Sequence, residues 1–352
     1  MWYNSNVRGS FPRFIKENTE FPLGRSMKKK FLSMGAIALG AMLLTSCVTT
    51  NNRVSFNENW HLDTTASSAA NLEEVLKYEV AFEKGSNAEN EYRAILYGTG
   101  EYVTTLKTEY SEEKEAFLYR YTTELKIPVT FECKTSEEMK TYQDVVTSNV
   151  LFMNAQSGLK PISSTKTYDM HSPTTMSDSP SKLTDCYTHY NYTVQTDYND
   201  DLTGKSALID HTKNDEKRET NFKSANDDYT TLDNEQLLLA VRGIETLGMQ
   251  KFSVYTSSWK KSLLVGLSAS TSTSDEFELK LGDSAPAKKT IAYTPVTMKF
   301  DVQDSGSEQT LWIANRTDVL NNTYRNVILY MQMPLYYSYG SLNYTLKEAK
   351  FM

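Results

Sequence analysis

Apolar and polar residues alternate one for one along most of this chain. The segments 76–82 (LKYEVAF), 92–98 (YRAILYG), 101–110 (EYVTTLKTEY), 116–133 (AFLYRYTTELKIPVTFEC) and 150–155 (VLFMNA) alternate or run apolar with Val, Ile, Tyr, Phe and Thr. Such residues pack well on a pleated, half-buried surface, so each segment is predicted to be a β-strand. Gly98, Gly100, the polar run Ser111 to Lys114, and Gly158 divide them as turns. The pattern resumes at 186–198, 205–211, 251–270, 277–281, 290–302, 310–314 and 325–349. Polar stretches around 171–184 and 212–230, rich in Ser, Asp, Asn and Pro, are expected to be surface excursions. The fold class is therefore mainly β: a large curved antiparallel sheet or half-barrel of roughly a dozen strands, with long polar loops.

One segment breaks the period. In DNEQLLLAVRG, 233–243, Asp233 can cap a first helical turn and Gln236 completes a capping box three residues on. Leu237, Ala240, Val241 and Ile244 then share one face, which predicts an amphipathic helix lying on the sheet. Gly243 or Gly248 is expected to end it with a positive φ.

A strand opening with YEV (78–80), the stretch from SNVLF to LKPISSTKTYDM (148–170), the DNEQLLLAVRGIE helix and a closing TLWIA strand followed by hairpins resemble an uncharacterised bacterial envelope family. Its curved antiparallel sheet is similar to that of lipoprotein-carrier half-barrels. The resemblance spans residues 74–349 and implies a helix against the concave face of the sheet, enclosing an apolar cavity. The long polar insertions depart from that pattern.

A different signal lies upstream. Lys28, Lys29 and Lys30 follow Met27, and Phe31 to Leu44 carry no charge, as in the basic and apolar regions of an export signal. The apolar run is too short to span a bilayer, which needs roughly 20 helical residues. Leu44-Thr45-Ser46-Cys47 resembles the bacterial lipobox, in which the cysteine sulfur receives a diacylglyceryl group and the chain is cut just before it. Two acyl chains, palmitate among the common ones, anchor stably where one does not. The expected organisation is an upstream extension at 1–26, a lipoprotein signal peptide at 27–46, a lipidated Cys47 with a Thr-, Asn- and Ser-rich tether to residue 70, and a β domain over 71–352. RVSFNENW inside the tether is a further strand candidate, on the strength of Trp60. The implied location is extracytoplasmic, on a bacterial cell membrane or outer membrane.

Charge narrows the partners. The sequence has 37 Lys and Arg against 44 Asp and Glu; removing residues 1–46 takes away 7 and 2 of these, leaving 30 against 42 and a formal charge near −12. No basic cluster remains to displace counterions from a phosphate backbone, so no nucleic acid partner is expected. Cys133 and Cys186 are the other cysteines, and in an exported chain a disulfide between them is a candidate worth about 2–4 kcal/mol; the alternative is two separate buried thiols.

The usual catalytic signatures are missing. His61, His171, His189 and His211 are scattered, with no H-E-x-x-H and no metal spacing, so neither a metal nor another cofactor is expected. There is no G-x-S-x-G elbow, and the S-x-x-K matches Ser163/Lys166, Ser257/Lys260 and Ser258/Lys261 lack a K-T-G partner. Asp197, Asn199 and Asp201 have the spacing of a calcium loop, but Leu202 and Leu208 stand where Gly and Glu are needed, which favours a solvated turn. The adjacent pairs Glu73/Glu74, Glu112/Glu113 and Glu137/Glu138 read as solvated faces. The excess is in tyrosine, 23 residues, with Tyr330, Tyr337 and Tyr339 as candidate ligand contacts and Tyr337 and Tyr339 expected on one sheet face. The leading reading is a non-enzymatic, lipid-anchored envelope protein that binds an apolar or amphipathic ligand, or a partner, through its curved sheet. A carbohydrate- or protein-contact module using the tyrosine-rich strands and a hydrolase with a dispersed site are the alternatives.

Overall fold

A computed structural model describes residues 53–57, 73–154, 158–174, 179–223, 228–256, 260–301, 308–315 and 326–351. Cys47, Trp60, His61, Ser257 and Ser258, the signal segment and the tether beyond Asn57 lie outside the described residues.

Strands account for most of what is described. In chain order they are β1 (Glu73–Lys84), β2 (Arg93–Tyr97), β3 (Gly100–Ser111), β4 (Ala116–Cys133), β5 (Glu138–Met153), β6 (Pro161–Pro173), β7 (Tyr187–Tyr198), β8 (Gly204–Asp210), β9 (Glu216–Phe222) and β10 (Thr230–Asp233). After the helix α1 (Leu237–Arg242) come β11 (Gln250–Thr256), β12 (Lys261–Ala269), β13 (Thr273–Leu281), β14 (Ala287–Phe300), β15 (Glu308–Ala314), β16 (Ile328–Leu335) and β17 (Gly340–Phe351). Hairpins link β3 through β9 into one antiparallel meander. β1 lies between β3 and β17, and the sheet continues through β16, β15, β14, β12 and β11 to β10. Only β10–β11 and β13–β17 are parallel pairs among the described strands. β2 pairs with the second half of β4, and β13 with the first half of β14.

This one sheet curls until its two ends meet, which gives a barrel-like fold. The ends touch through side chains: Phe222 of β9 stacks on Tyr255 of β11 with ring centres 3.6 Å apart, and Ser262 Oγ of β12 donates to the Lys223 carbonyl at 2.8 Å. Alternation sends Leu76, Tyr78 and Val80 of β1, Leu125, Ile127, Val129 and Phe131 of β4, and Met331 and Met333 of β16 inward. The mainly β, curved-sheet expectation holds.

The helix sits inside this barrel. Every residue from Leu237 to Arg242 is buried, so the helix expected against the concave face of the sheet is covered on its polar side as well. The capping box forms as read: Asp233 accepts from the Glu235 N–H at 2.7 Å, and Gln236 Oε1 accepts from the Asp233 N–H at 3.4 Å. The first turn, Asn234–Gln236, is 3₁₀. Gly243 ends the helix at φ −86°, not at the positive φ anticipated, with its N–H on the Ala240 carbonyl.

Several other expectations change. Residues 216–222, read as a loop, form β9; its charged EKRET run is what an exposed edge strand carries to discourage pairing with another chain. Residues 251–270 and 325–349 each divide into two strands. The strand expected from residue 150 begins at Glu138, its first half too polar to stand out. Val54 and Phe56 are buried, but Phe56 makes an isolated bridge to Ile244, not a strand of the sheet. Glu74 is not solvated: it is 1% exposed and takes both Arg242 Nη atoms, at 2.7 and 2.8 Å. No helix among the described residues is long and apolar enough to cross a membrane.

Candidate functional site

Two neighbouring rungs of the sheet, read across the strands on the inner face, differ in character. In one, Tyr78, Tyr102, Leu125, Val146, Tyr168 and Tyr192 stand in register from β1 and β3 through β7. In the next, Thr104, Thr123, Ser148, Lys166 and Val194 are aligned in the same way. An aromatic and aliphatic row thus lies beside a mostly polar one. A pocket of about 590 Å³, its open mouth included, lies over both. Its lining runs from Tyr102, Leu125, Val146 and Tyr168 to Leu238 of α1, Met331 and Met333 of β16, and Tyr344 of β17, with Thr123, Lys166, Asn234 and Glu235 at the polar end.

Local structure holds each of these groups. Met331 stands opposite Tyr344, and Tyr344 meets Tyr102 edge to face at 5.3 Å, fixing the aromatic wall. Lys166 is 4% exposed, pairs with Glu235 at 3.0 Å and lies 5.0 Å from the centre of the Tyr168 ring. Asn234 Nδ2 donates to the same Glu235 oxygen at 2.8 Å, while Asn234 Oδ1 is buried with no protein partner. Burial works to raise the Glu235 carboxyl, while the Lys166 ammonium and the Asn234 amide work to lower it. Behind the pair, Asp233 accepts from Ser164 Oγ at 2.7 Å and Tyr198 Oη at 2.6 Å. Burial first, then the Glu235 charge, pushes the Asp233 carboxyl up to about 6. These contacts fasten the first turn of the helix to β6 and β7, and Gln236 Nε2 adds a bond to the Leu159 carbonyl at 2.6 Å.

The residues singled out from sequence lie elsewhere. Tyr330 faces away from Met331 and Met333 and joins Trp312, Tyr293 and Phe277 in an outer aromatic cluster. Tyr337 and Tyr339 do not share a strand face. Tyr337 stands in the turn Tyr336–Ser338 at φ 55°, 53% exposed, whereas Tyr339 is buried and donates to the Thr174 carbonyl. That turn is tight because Gly340, at φ 131°, lets the chain pass within reach of Glu83 and Gly85, where a Cβ would collide with the Glu83 carbonyl. Of the two readings of Cys133 and Cys186, a bridge or buried thiols, the structure has the second: both are free and buried, Cys133 Sγ donating to the Pro180 carbonyl at 3.9 Å and Cys186 Sγ to the Glu132 carbonyl at 4.0 Å. Burial and the Cys133 sulfur push the Cys186 thiol up to about 12.

The histidines divide. His171 and His189, with Asp144 and Asp169, meet across β5 to β7: the imidazoles stack at 4.5 Å, His171 Nδ1 pairs with the buried Asp144 at 2.9 Å, and His189 Nε2 with Asp169 at 2.7 Å. Tyr142 covers the other face of His171 at 4.0 Å. His211 pairs separately with Asp215. Ser163 and Lys166 point to opposite faces of β6, so their S-x-x-K spacing brings nothing together. Asn199 and Asp201 are taken up by a turn, bonding to Thr203, and no metal-holding cluster occurs among the described residues.

No family model matches the chain, and no curated protein matches it. Among solved structures it is similar to a β-barrel-like protein of a domain of unknown function, DUF1849, from Brucella abortus. The match has 9% sequence identity and a TM-score of 0.42, and covers 80% of this chain and 98% of that one.

Lys166, Asn234, Glu235, Leu238, Met331 and Met333 were not singled out as site residues in sequence. The signal available was the alternation itself, Met331 and Met333 in YMQMP and Ser164 and Lys166 in SSTK, which selects a face but not which side of the sheet is the inside.

Proposed function

We propose that this is a non-enzymatic, lipid-anchored protein of the bacterial envelope whose barrel interior holds a small amphipathic molecule. The observation that carries the binding reading is the pocket, apolar and aromatic along one rung and polar along the next, inside a barrel that its own helix only partly fills. Small-molecule sites are mostly apolar with a few convergent polar groups, and the lining of this pocket has that character. The anchor rests on the Leu44-Thr45-Ser46-Cys47 signal and its basic, apolar approach.

Intact and native mass spectrometry of the chain extracted from a bacterial envelope tests both parts. The expected polypeptide begins at Cys47 with a diacylglyceryl increment, and it carries a non-covalent small molecule that Met333→Trp, which fills the pocket, excludes. A chain whose Cys47 sulfur is unmodified would sink the anchor. A barrel that is always empty and gains no thermal stability from any short-chain amphiphile would sink the binding role.

A further inference from the structure

We infer that the ligand of this pocket is a single-chain amphiphile whose polar head is uncharged and hydroxylated. This rests on the binding role proposed above and adds the chemistry of the head group. The charges at the polar end are already matched: Lys166 and Glu235, 4% and 11% exposed, close on each other at 3.0 Å. What the polar end lacks is a donor, because Asn234 Oδ1 is buried and accepts from no protein group while Asn234 Nδ2 is committed to Glu235. An unpaired buried acceptor is costly, and a ligand hydroxyl removes that cost directly.

Charged heads fit less well. A carboxylate would have to draw Lys166 away from Glu235 and leave that carboxylate uncompensated beside the buried Asp233. An ammonium would be placed against the Lys166 ammonium. A hydroxyl donates to Asn234 and leaves the ion pair closed. The apolar end sets the tail: Met331 and Met333 are unbranched and adaptable, and Leu238 and Tyr344 complete the wall.

The test is calorimetric titration of the full chain in lipid nanodiscs with 1-octanol, octanoate and octylamine, referenced to empty nanodiscs. Octanol is expected to bind at least about tenfold more tightly than either charged probe, and Asn234→Leu to weaken octanol about tenfold, the scale of one buried hydrogen bond. Met333→Trp should abolish binding of every probe. Octanoate or octylamine binding as tightly as octanol, and lost in Met333→Trp, overturns the head-group inference while leaving the pocket a binding site. Octanol binding unmoved by Asn234→Leu overturns it too. No binding by any probe to the unmodified chain overturns the binding role itself. The comparison of three probes on the unmodified chain stands even if a variant fails to fold.

Discussion

At the scale of single residues, Asp233 links the site to stability. Its carboxyl titrates near 6 in the folded protein because it is buried and faces Glu235, against about 3.9 in an unfolded chain. The folded state therefore holds a proton that the unfolded state has released between those values. The stabilisation is full below about pH 4 and is lost as the pH rises through about 6, an effect on the order of 3 kcal/mol. Urea unfolding from pH 4 to 7 should show stability falling across that window, and Asp233→Asn should flatten the profile. The thiols give a second expectation at this scale. Cys133 and Cys186 are 0% and 1% exposed, so a water-soluble maleimide should label neither in the folded protein and both in urea. Rapid labelling of the native chain would contradict their placement.

The residue scale also shows where sequence legibility ends. The Asp233 and Gln236 capping box was readable because both partners lie within three positions of each other. Glu74 was not, because its partner Arg242 is 168 residues away and nothing local separates it from the solvated Glu73. Lys166 and Glu235 are hidden for the same reason, 69 residues apart.

At the scale of elements, α1 is held at both ends. Asp233, Lys166 and Gln236 secure its first turn, and the Arg242–Glu74 pair secures its last against β1. Removing one member of a buried ion pair leaves the other charge uncompensated, so Glu74→Ala should cost about 3–5 kcal/mol in chemical denaturation. Glu74→Met combined with Arg242→Met should recover at least half of that loss, because no charge is then stranded. If the double variant is no better than the single one, the cost lies in packing and not in charge.

Most strands were legible as elements because their alternation is strong; β4 matches its expected limits, 116–133, at both ends. The misses have physical causes. β9 is an edge strand whose exposed charges look like a loop, and the first four residues of β5 are all exposed. The long runs 251–270 and 325–349 concealed their turns, because Lys260 at φ 52° and Tyr337 and Ser338 at φ 55° and 57° adopt turn conformations without a glycine at the turn itself.

At the scale of the whole molecule, curvature was legible and its result was not. A long antiparallel meander predicts a curled sheet, but whether its concave side is filled depends on contacts between distant strands. The helix fills much of it, and the remaining pocket draws its wall from β3, β4, β5, β6, β16 and β17. Tyrosine excess drew attention to the C-terminal turn, whereas the tyrosines that shape the pocket, Tyr102, Tyr168 and Tyr344, are spread over the chain and meet only when the sheet curls.

The position of β1 between β3 and β17 has a consequence for how the protein is made. β1 finds one of its two neighbours in β17, the last of the described strands to be synthesised. Until that segment arrives, β1 presents a bare row of amide and carbonyl groups to whatever surrounds it. The long wait for a distant partner is the kind of pairing that makes β-rich chains slow to fold. Synthesis must run past β17 before the structure can close, so a chain cut short before residue 340 lacks not just a strand but the seam that joins β17 to β1.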